Sequence, residues 1–584
     1  MTNSFFSVPS FEMTQFKPKL DFQLTKVSPT FNDIEKYFIT IQKIGKGSYG
    51  HVYKVRCKKT NQIKALKLIK CVPGNGISMS IYLDVCMPNW LNHSNIIHID
   101  DIKFIKKKNY SYVGVVMECS QINIDDYIAF NSLSGFSKTN VELMYNMAKT
   151  VVRSTLTGVL HSDIKGSNFV VNTKSEGEVI PSSVRLIDFG LAQKSEDNTK
   201  LFKRMYTCGY RSPEMLFPTT KHYSEKAEVW ALGCVFYLIL FDIHPFYRGW
   251  GKEEGRSICS IISCRGHPKT EFPEILQTNE WKKFYNDWGS IEATWIRKSL
   301  DPDNFRINSL LEGMLELDPD KRLSIQEVLN HPIFEDFFKE DDLTLVPMKW
   351  IPPKGILSGN KRKNRDILLD WIVLVCFELN LSPDIIFSAL EMIDRILVDT
   401  CANDIDNSNL QMLSSAVLII QSSLRNEPIR SKVMKEYCAD EYTIEEIDLF
   451  TLATLDAIRD KFLLPTMYDV LKYRKTNIKY SNFYDLILLI SVYSNENVNI
   501  KPSDLSVYKE SMQLIAELFF TEDTTLVMKK LTPDTTSYIQ KILSYMEQTA
   551  GDSSFQESIN ILLKTFTQLS LTTVVKIIQY KMEL

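Results

Sequence analysis

A chain of 584 residues is too long for one hydrophobic core, so roughly two to four domains are expected. Its make-up, 44% hydrophobic and 24% charged, is that of a globular protein rather than a disordered or fibrous one. A net charge of -3 supplies no basic field, so no nucleic-acid or membrane partner is expected.

Eleven cysteines are scattered without a C-x-x-C pair, which argues against a zinc site or disulfide framework and fits a reducing compartment. The N-terminal stretch lacks a basic region followed by an apolar one, so no secretory signal is expected. The longest apolar run, Val229 to Phe241, has 13 residues where a bilayer span needs about 20, and it reads as a buried core helix. The expectation is an intracellular protein, cytoplasmic or nuclear.

Residues 1–35 are polar and aperiodic, an N-terminal extension. From Phe38 the residues alternate in strand fashion through FITIQKIG, HVYKVR and IKALKLI, predicting a three-stranded start. Between the first two strands lies Gly45-Lys46-Gly47-Ser48-Tyr49-Gly50, where glycines let a backbone turn approach phosphate oxygens. The dinucleotide-binding form of such a loop opens a helix, whereas here a strand follows it. Lys67, on the third strand and 17 residues past Gly50, is a cation suited to the α- and β-phosphates of ATP; by itself it reads equally as a surface lysine.

The next cluster is His161-Ser162-Asp163-Ile164-Lys165-Gly166-Ser167-Asn168. The Asp163 carboxylate is suited to accept a hydroxyl proton, and the Asn168 amide, five residues on, to bind magnesium. Asp188-Phe189-Gly190 begins 25 residues after Asp163, and Ser212-Pro213-Glu214 follows it. Any one tripeptide could arise by chance; the signal lies in their order and spacing together.

With these motifs, residues 36–338 resemble the eukaryotic-type protein kinases, and among them the cyclin-dependent kinases. The resemblance implies an α+β two-lobed fold, protein substrates, ATP in the cleft and Mg2+. It implies a nucleotide site built from Ile44, Gly45, Lys46, Gly47, Ser48, Tyr49, Gly50, Val52, Ala65, Lys67 and Asp84. Met117, Glu118 and Ser120 would form the gatekeeper and adenine-binding hinge together with Cys119. Asp163 would be the base, Lys165 would steady the transferring phosphate, and Asn168 and Asp188 would hold Mg2+. Lys165 and Thr207 are similar to the serine/threonine class, and Tyr210-Arg211-Ser212-Pro213-Glu214 resembles the Y-R-A-P-E of proline-directed members. Arg322, in Asp318-Pro319-Asp320-Lys321-Arg322, matches an arginine that pairs with the Glu214 position.

Several positions depart from that pattern. Ser162 replaces the arginine that helps hold a phosphorylated activation loop, and Phe202 stands where the usual activating threonine would be. Their joint loss predicts a kinase that needs no loop phosphorylation. Asp84 stands for the helix glutamate that pairs with the strand lysine, one methylene shorter. Pro88, four residues on, is expected to end or kink that helix. Glu228 replaces an aspartate and is expected to keep its acceptor role.

A stretch with prolines and glycines at 339–360 reads as a linker, and the chain beyond it as wholly helical. Residues 361–465 carry Ser382-Pro383-Asp384 as a helix start and Thr443-Ile444-Glu445-Glu446 as a capping box. Their wording resembles a cyclin box, so an all-α cyclin-box domain is expected as an intramolecular partner. The resemblance pairs Arg365 with Asp394 and assigns Trp371, Ile367 and Leu368 to a patch that docks substrate peptides. The lysine and glutamate with which cyclins grip a kinase are Ser423 and Thr451 here. Residues 466–584 are amphipathic and helical, a candidate degenerate second box.

The combined reading is phosphorylation of Ser/Thr in proteins, activated in cis. The alternative is a pseudokinase scaffold that sequesters cyclin or kinase partners. Abundant Asn, Ile and Lys suit an AT-rich genome such as that of a protist or a large DNA virus; such fusions resemble what the latter encode, and a viral product would act in its host cell.

Overall fold

A computed structural model describes residues 31–46, 50–71, 74, 78–91, 93–107, 110–131, 135–175, 177–194, 206–217, 224–246, 261, 272–282, 305–338, 360–398, 410–425, 427–458 and 510–515, with short pieces of 531–544. Two compact units make up the chain. One comprises Phe31–Cys71 with Ser78–Val346; the other comprises Met1–Thr30, Val72–Ile77 and Pro347–Leu584.

The first unit opens on six strands: β1 (Asn32–Asp33), β2 (Phe38–Lys46), β3 (Gly50–Cys57), β4 (Ile63–Cys71), β5 (Ile99–Lys107) and β6 (Tyr110–Glu118). They form one sheet in the order β1-β5-β6-β4-β3-β2. β1 is parallel to its neighbour, so Asn32 and Asp33 belong to the sheet and the extension expected to reach residue 35 ends earlier. Two residues carry no readable period, which is why this edge strand escapes pattern analysis. Phe38, Val55, Leu66, Leu68, Ile105 and Val116 share a core with Ile34. Between β4 and β5 lies helix α1 (Met79–Leu91). It runs through Pro88 rather than ending there. Ile81, Leu83, Val85, Met87 and Leu91 are all buried, and that packing outweighs the one backbone bond proline removes.

Short strands β7 (Ile122–Asn123), β8 (Val159–Leu160), β9 (Phe169–Val171), β10 (Arg185–Leu186) and β11 (Gln193–Lys194) follow, paired as β10-β9-β7 and β11-β8. They fix both ends of the 161–168 loop. The described residues of this unit also hold helices α2 (Ile124–Asn131), α3 (Lys138–Leu156), α4 (Pro213–Leu216), α5 (Glu225–Phe241), α6 (Phe305–Met314) and α7 (Ile325–Leu329). The apolar run expected to form a core helix is α5, capped by Ser224 and stopped by Asp242 in the left-handed region. No described helix is long and apolar enough to cross a membrane. Arg322 and Glu214 form the predicted buried pair, bidentate at 2.8 and 2.9 Å.

In the second unit the described helices are α8 (Asn360–Glu378), α9 (Pro383–Val398), α10 (Leu410–Leu424), α11 (Ser431–Tyr437) and α12 (Ile444–Ile458). α10 is central: Leu413, Val417, Leu418 and Ile420 are fully buried, and Ser422 satisfies its hydroxyl on the Ile419 carbonyl. The Arg365 guanidinium meets both Asp394 oxygens, with Nη2 2.7 Å from Oδ2. Thr443 and Glu446 close the predicted capping box at 3.0 and 3.1 Å. Leu368 and Trp371 are 1% and 5% exposed, so they serve this unit's core instead of the open peptide-docking patch expected of them. Of the stretch 339–360 expected to be a linker, Asn360 already opens α8; its other residues, Ile367's side chain and most of the suggested second box lie outside the described residues.

Candidate functional site

Strand register places the nucleotide-site residues. Gly45 pairs with Val52 and Val52 with Lys67, so these three line one row across three strands, and Ala65 pairs with Met117 in a neighbouring row. A Cβ on Gly50 would lie 2.0 Å from the Leu68 carbonyl oxygen, which excludes any other residue there. Ile44 and Lys46 are exposed on β2, while Gly47, Ser48 and Tyr49 fall outside the described residues. Glu118 ends β6, and the buried Ser120 hydroxyl beyond it has no hydrogen-bond partner among the described residues. Such an orphan suits a polar ligand edge at the hinge.

Lys67 bridges two carboxylates: its ammonium is 2.6 Å from Asp84 Oδ2 and 2.7 Å from Asp188 Oδ1. The aspartate on α1 therefore reaches the strand lysine despite its shorter side chain. Burial works against the ammonium, but the two carboxylates outweigh it and hold Lys67 above the ordinary lysine range. Burial, with Asp188 adding to it, lifts Asp84 to about 6 against the opposing pull of Lys67 and of a bond from the Gly190 backbone. Burial also pushes Asp188 up, but Lys67 more than reverses this, helped by His161 and Lys165, so Asp188 lies below the usual carboxylate range. An ionised carboxylate at 188 and an amide oxygen at 168 are the hard oxygen donors that magnesium requires.

The second half of the site hangs on the 161–168 loop. Lys165 donates to Asp163 Oδ2 at 2.5 Å and to Thr207 Oγ1 at 3.0 Å. Asn168 Nδ2 donates to the Asp163 carbonyl at 2.8 Å, fixing the loop on itself. Thr207 adds its backbone N–H and hydroxyl to Asp163 Oδ1, at 3.0 and 2.9 Å. His161 stacks edgewise on Phe189 at 4.7 Å, and its Nε2 is 2.9 Å from the Ile187 carbonyl, which ties the loop to the Asp188 strand end. Glu228 keeps the acceptor role expected of it, taking the backbone N–H of Ser162 at 2.8 Å and of His161 at 3.3 Å.

Asp163, Lys165 and Asn168 thus share one hydrogen-bonded cluster, and Lys67, Asp84 and Asp188 another. Three participants escaped sequence reasoning. Tyr206 donates its backbone N–H to the Ser162 carbonyl at 3.1 Å and its hydroxyl to Glu228, and Arg211 donates to its carbonyl at 3.0 Å. Asp448 on α12 is buried, and it accepts from Ser431 and, at 2.9 Å, from the Gly74 backbone within the second unit. A carboxylate in the apolar stretch Ile444–Ile458 was the available signal, by the same reasoning that paired Asp394.

The family model of the protein kinase domain matches residues 38–334, and that of the cyclin N-terminal domain matches residues 337–459. A Dictyostelium discoideum protein described as "Probable cyclin-dependent kinase 8" is 29% identical over 352 residues, covering 57% of this chain and 89% of that protein.

Proposed function

The chain belongs to the protein kinase family, and we propose that it is a proline-directed serine/threonine kinase held active by the cyclin domain that follows in the same polypeptide. The observation that carries this reading is the Lys67 bridge to Asp84 and Asp188. It sets the nucleotide-facing lysine against both the α1 carboxylate and the metal-binding strand end, the arrangement an active phosphoryl transferase needs.

In the proposed reaction Asp163 accepts the proton of a substrate hydroxyl as its oxygen bonds to the γ-phosphorus of ATP. The bond from that phosphorus to the β–γ bridging oxygen breaks, and ADP leaves. Lys165, already on Asp163, steadies the charge carried by the transferred group. Asn168 and Asp188 would hold Mg2+, which would offset phosphate charge.

Proline selection is supported at Tyr206. Its φ of 62° turns the carbonyl toward Arg211, one residue before the threonine bonded to Asp163. A carbonyl so occupied is withdrawn from a substrate N–H beside the reacting hydroxyl, and proline is the residue with no N–H to leave unpaired. Activation in cis is supported by Gly74, which lies in the chain between the strand of Lys67 and the helix of Asp84 and donates its N–H to Asp448 at 2.9 Å within one compact unit. Independence from loop phosphorylation is supported by Phe202 and Ser162. The scaffold alternative rested on Asp84 and Pro88; the formed ion pair and the continuous helix remove both grounds. An intracellular setting, in the host of a large DNA virus, remains part of the reading on compositional grounds.

The test is a peptide library with Mg·ATP, given to the full chain, to a chain ending at residue 340 and to Asp163→Asn. Full-length activity on Ser/Thr-Pro peptides, lost in both other proteins, is the expected result. Equal activity in the truncated chain removes the cis claim, and an inert full chain that binds ATP removes the kinase claim.

A further inference from the structure

Two departures from the kinase pattern, Ser162 and Glu228, meet at one buried point, and Tyr206 is the third member. The Tyr206 hydroxyl donates to Glu228 Oε1, the same oxygen that takes the Ser162 backbone N–H. Tyr206's own N–H donates to the Ser162 carbonyl at 3.1 Å. Glu228 and Ser162 are fully buried and Tyr206 is 3% exposed. Both Ser162 and Tyr206 sit in the left-handed region, at φ 65° and 62°. Side-chain-bearing residues stay there only when their surroundings over-determine them. The hydrogen bonds just named, together with the one from Arg211, over-determine this pair.

The position matters because the next residue, Thr207, bonds to Asp163 twice. Whatever pins Tyr206 therefore also sets the wall of the catalytic carboxylate. In a loop-phosphorylated kinase an arginine beside the catalytic aspartate and a loop phosphate make an ionic tie of this kind. Here the arginine's position is Ser162, too short to reach a phosphate, and the tie runs the other way. A phenol hydroxyl donates to a buried side chain that already accepts the backbone N–H groups of His161 and Ser162.

We propose that Tyr206 is a positioning residue that takes over the task of a loop phosphate, its hydroxyl on Glu228 locking the activation segment to the 161–168 loop. This deepens the reading of a phosphorylation-independent kinase and rests on it. The lock is present as soon as the chain folds and needs no second enzyme.

The experiment uses the full chain, phosphatase-treated and confirmed unphosphorylated by intact mass. Wild type, Tyr206→Phe, Glu228→Asp and the double variant are compared on a Ser-Pro peptide, with backbone hydrogen exchange followed over residues 206–212. Tyr206→Phe keeps the ring and deletes the donor. It is expected to lower kcat about tenfold or more, with KM for ATP unchanged and exchange over 206–212 faster. Glu228→Asp draws the carboxylate back from the phenol, so adding Tyr206→Phe to it is expected to change nothing further. A Tyr206→Phe enzyme within about twofold of wild type, or full additivity in the double variant, overturns the lock while leaving phosphorylation independence intact. Loss of wild-type activity on phosphatase treatment overturns the parent reading and the lock with it.

Discussion

Asp84→Asn tests the central ion pair. The substitution keeps the shape of the side chain and removes its charge from a site where Lys67 lies 2.6 Å away and the carboxylate is 5% exposed. Lys67 retains Asp188 at 2.7 Å, so the loss is that of one charge-assisted bond of two, not of a whole buried pair. Such a bond is worth about 1.5–3 kcal/mol, or roughly 10- to 150-fold in kcat/KM for ATP. The pH profile supplies a second readout. Asp84 is lifted from 3.8 to about 6, so it becomes neutral and releases Lys67 as pH falls through that value. Wild-type activity should therefore drop on the acid side near pH 6, and Asp84→Asn should lose that limb. Stability runs the other way: a carboxyl raised on folding favours the folded state below 3.8 and loses that contribution as pH rises through about 6. Steady-state kinetics with ATP varied, at pH values from about 5 to 8, measure all of this. An Asp84→Asn enzyme within about threefold of wild type and with the same acid limb would refute the assignment of Asp84.

The other predictions concern separate contacts. Asp448→Ala leaves the Gly74 N–H and the Ser431 hydroxyl without that acceptor, and is expected to lower activity about tenfold and speed hydrogen exchange over 72–77, read by mass spectrometry. Arg211→Ala releases the Tyr206 carbonyl to a substrate N–H, and the preference for Ser-Pro over Ser-Ala peptides should shrink about tenfold through a rise on the Ser-Ala peptide, with activity on the Ser-Pro peptide kept. Asp394→Ala strands the buried Arg365 guanidinium and should destabilise the cyclin unit by about 3–5 kcal/mol in denaturant unfolding, more than Asp394→Ala with Arg365→Met together.

What could be read directly from the chain was whatever is encoded by neighbours. The glycine loop, the His161–Asn168 run, the Thr443–Glu446 box and the helix start at Pro383 each lie within a few residues, so local spacing carries them. The Arg365–Asp394 and Arg322–Glu214 pairs were accessible because a family pattern names both partners. Contacts between distant residues without such a pattern were not. Tyr206 and Glu228 are 22 positions apart, and Gly74 and Asp448 are 374 apart. Pro88 is a related case: a local rule predicts a helix end or a kink, and the burial of Leu83, Val85 and Met87 that carries the helix past it comes from the tertiary fold. Trp371 misled in the opposite sense, since a shared motif says nothing of whether its face is covered.

The weak point of activation in cis is the loss of the usual grip, and its energetics decide whether one polypeptide matters. Thr451 spends its hydroxyl on the Ile447 carbonyl of its own helix at 2.7 Å, and Ser423 is 3% exposed, so the expected lysine–glutamate clamp has no counterpart at either position. Losing such contacts costs a free complex about 2–5 kcal/mol. A partner joined by the stretch read from the sequence as a linker, which at about 22 residues would reach roughly 70 Å when extended, sits at an effective concentration on the order of millimolar. Against a free partner at about a micromolar, that is a thousandfold, or about 4 kcal/mol. The gain and the loss are of one size. On the proposed reading, the Asp448 bond to Gly74 then needs only to choose the register of the 72–77 segment, because the tether supplies the affinity. Cutting an engineered protease site in the linker should therefore leave activity at first and lose it on dilution below about a micromolar; activity unchanged by dilution would mean the second unit holds the first without help from the chain.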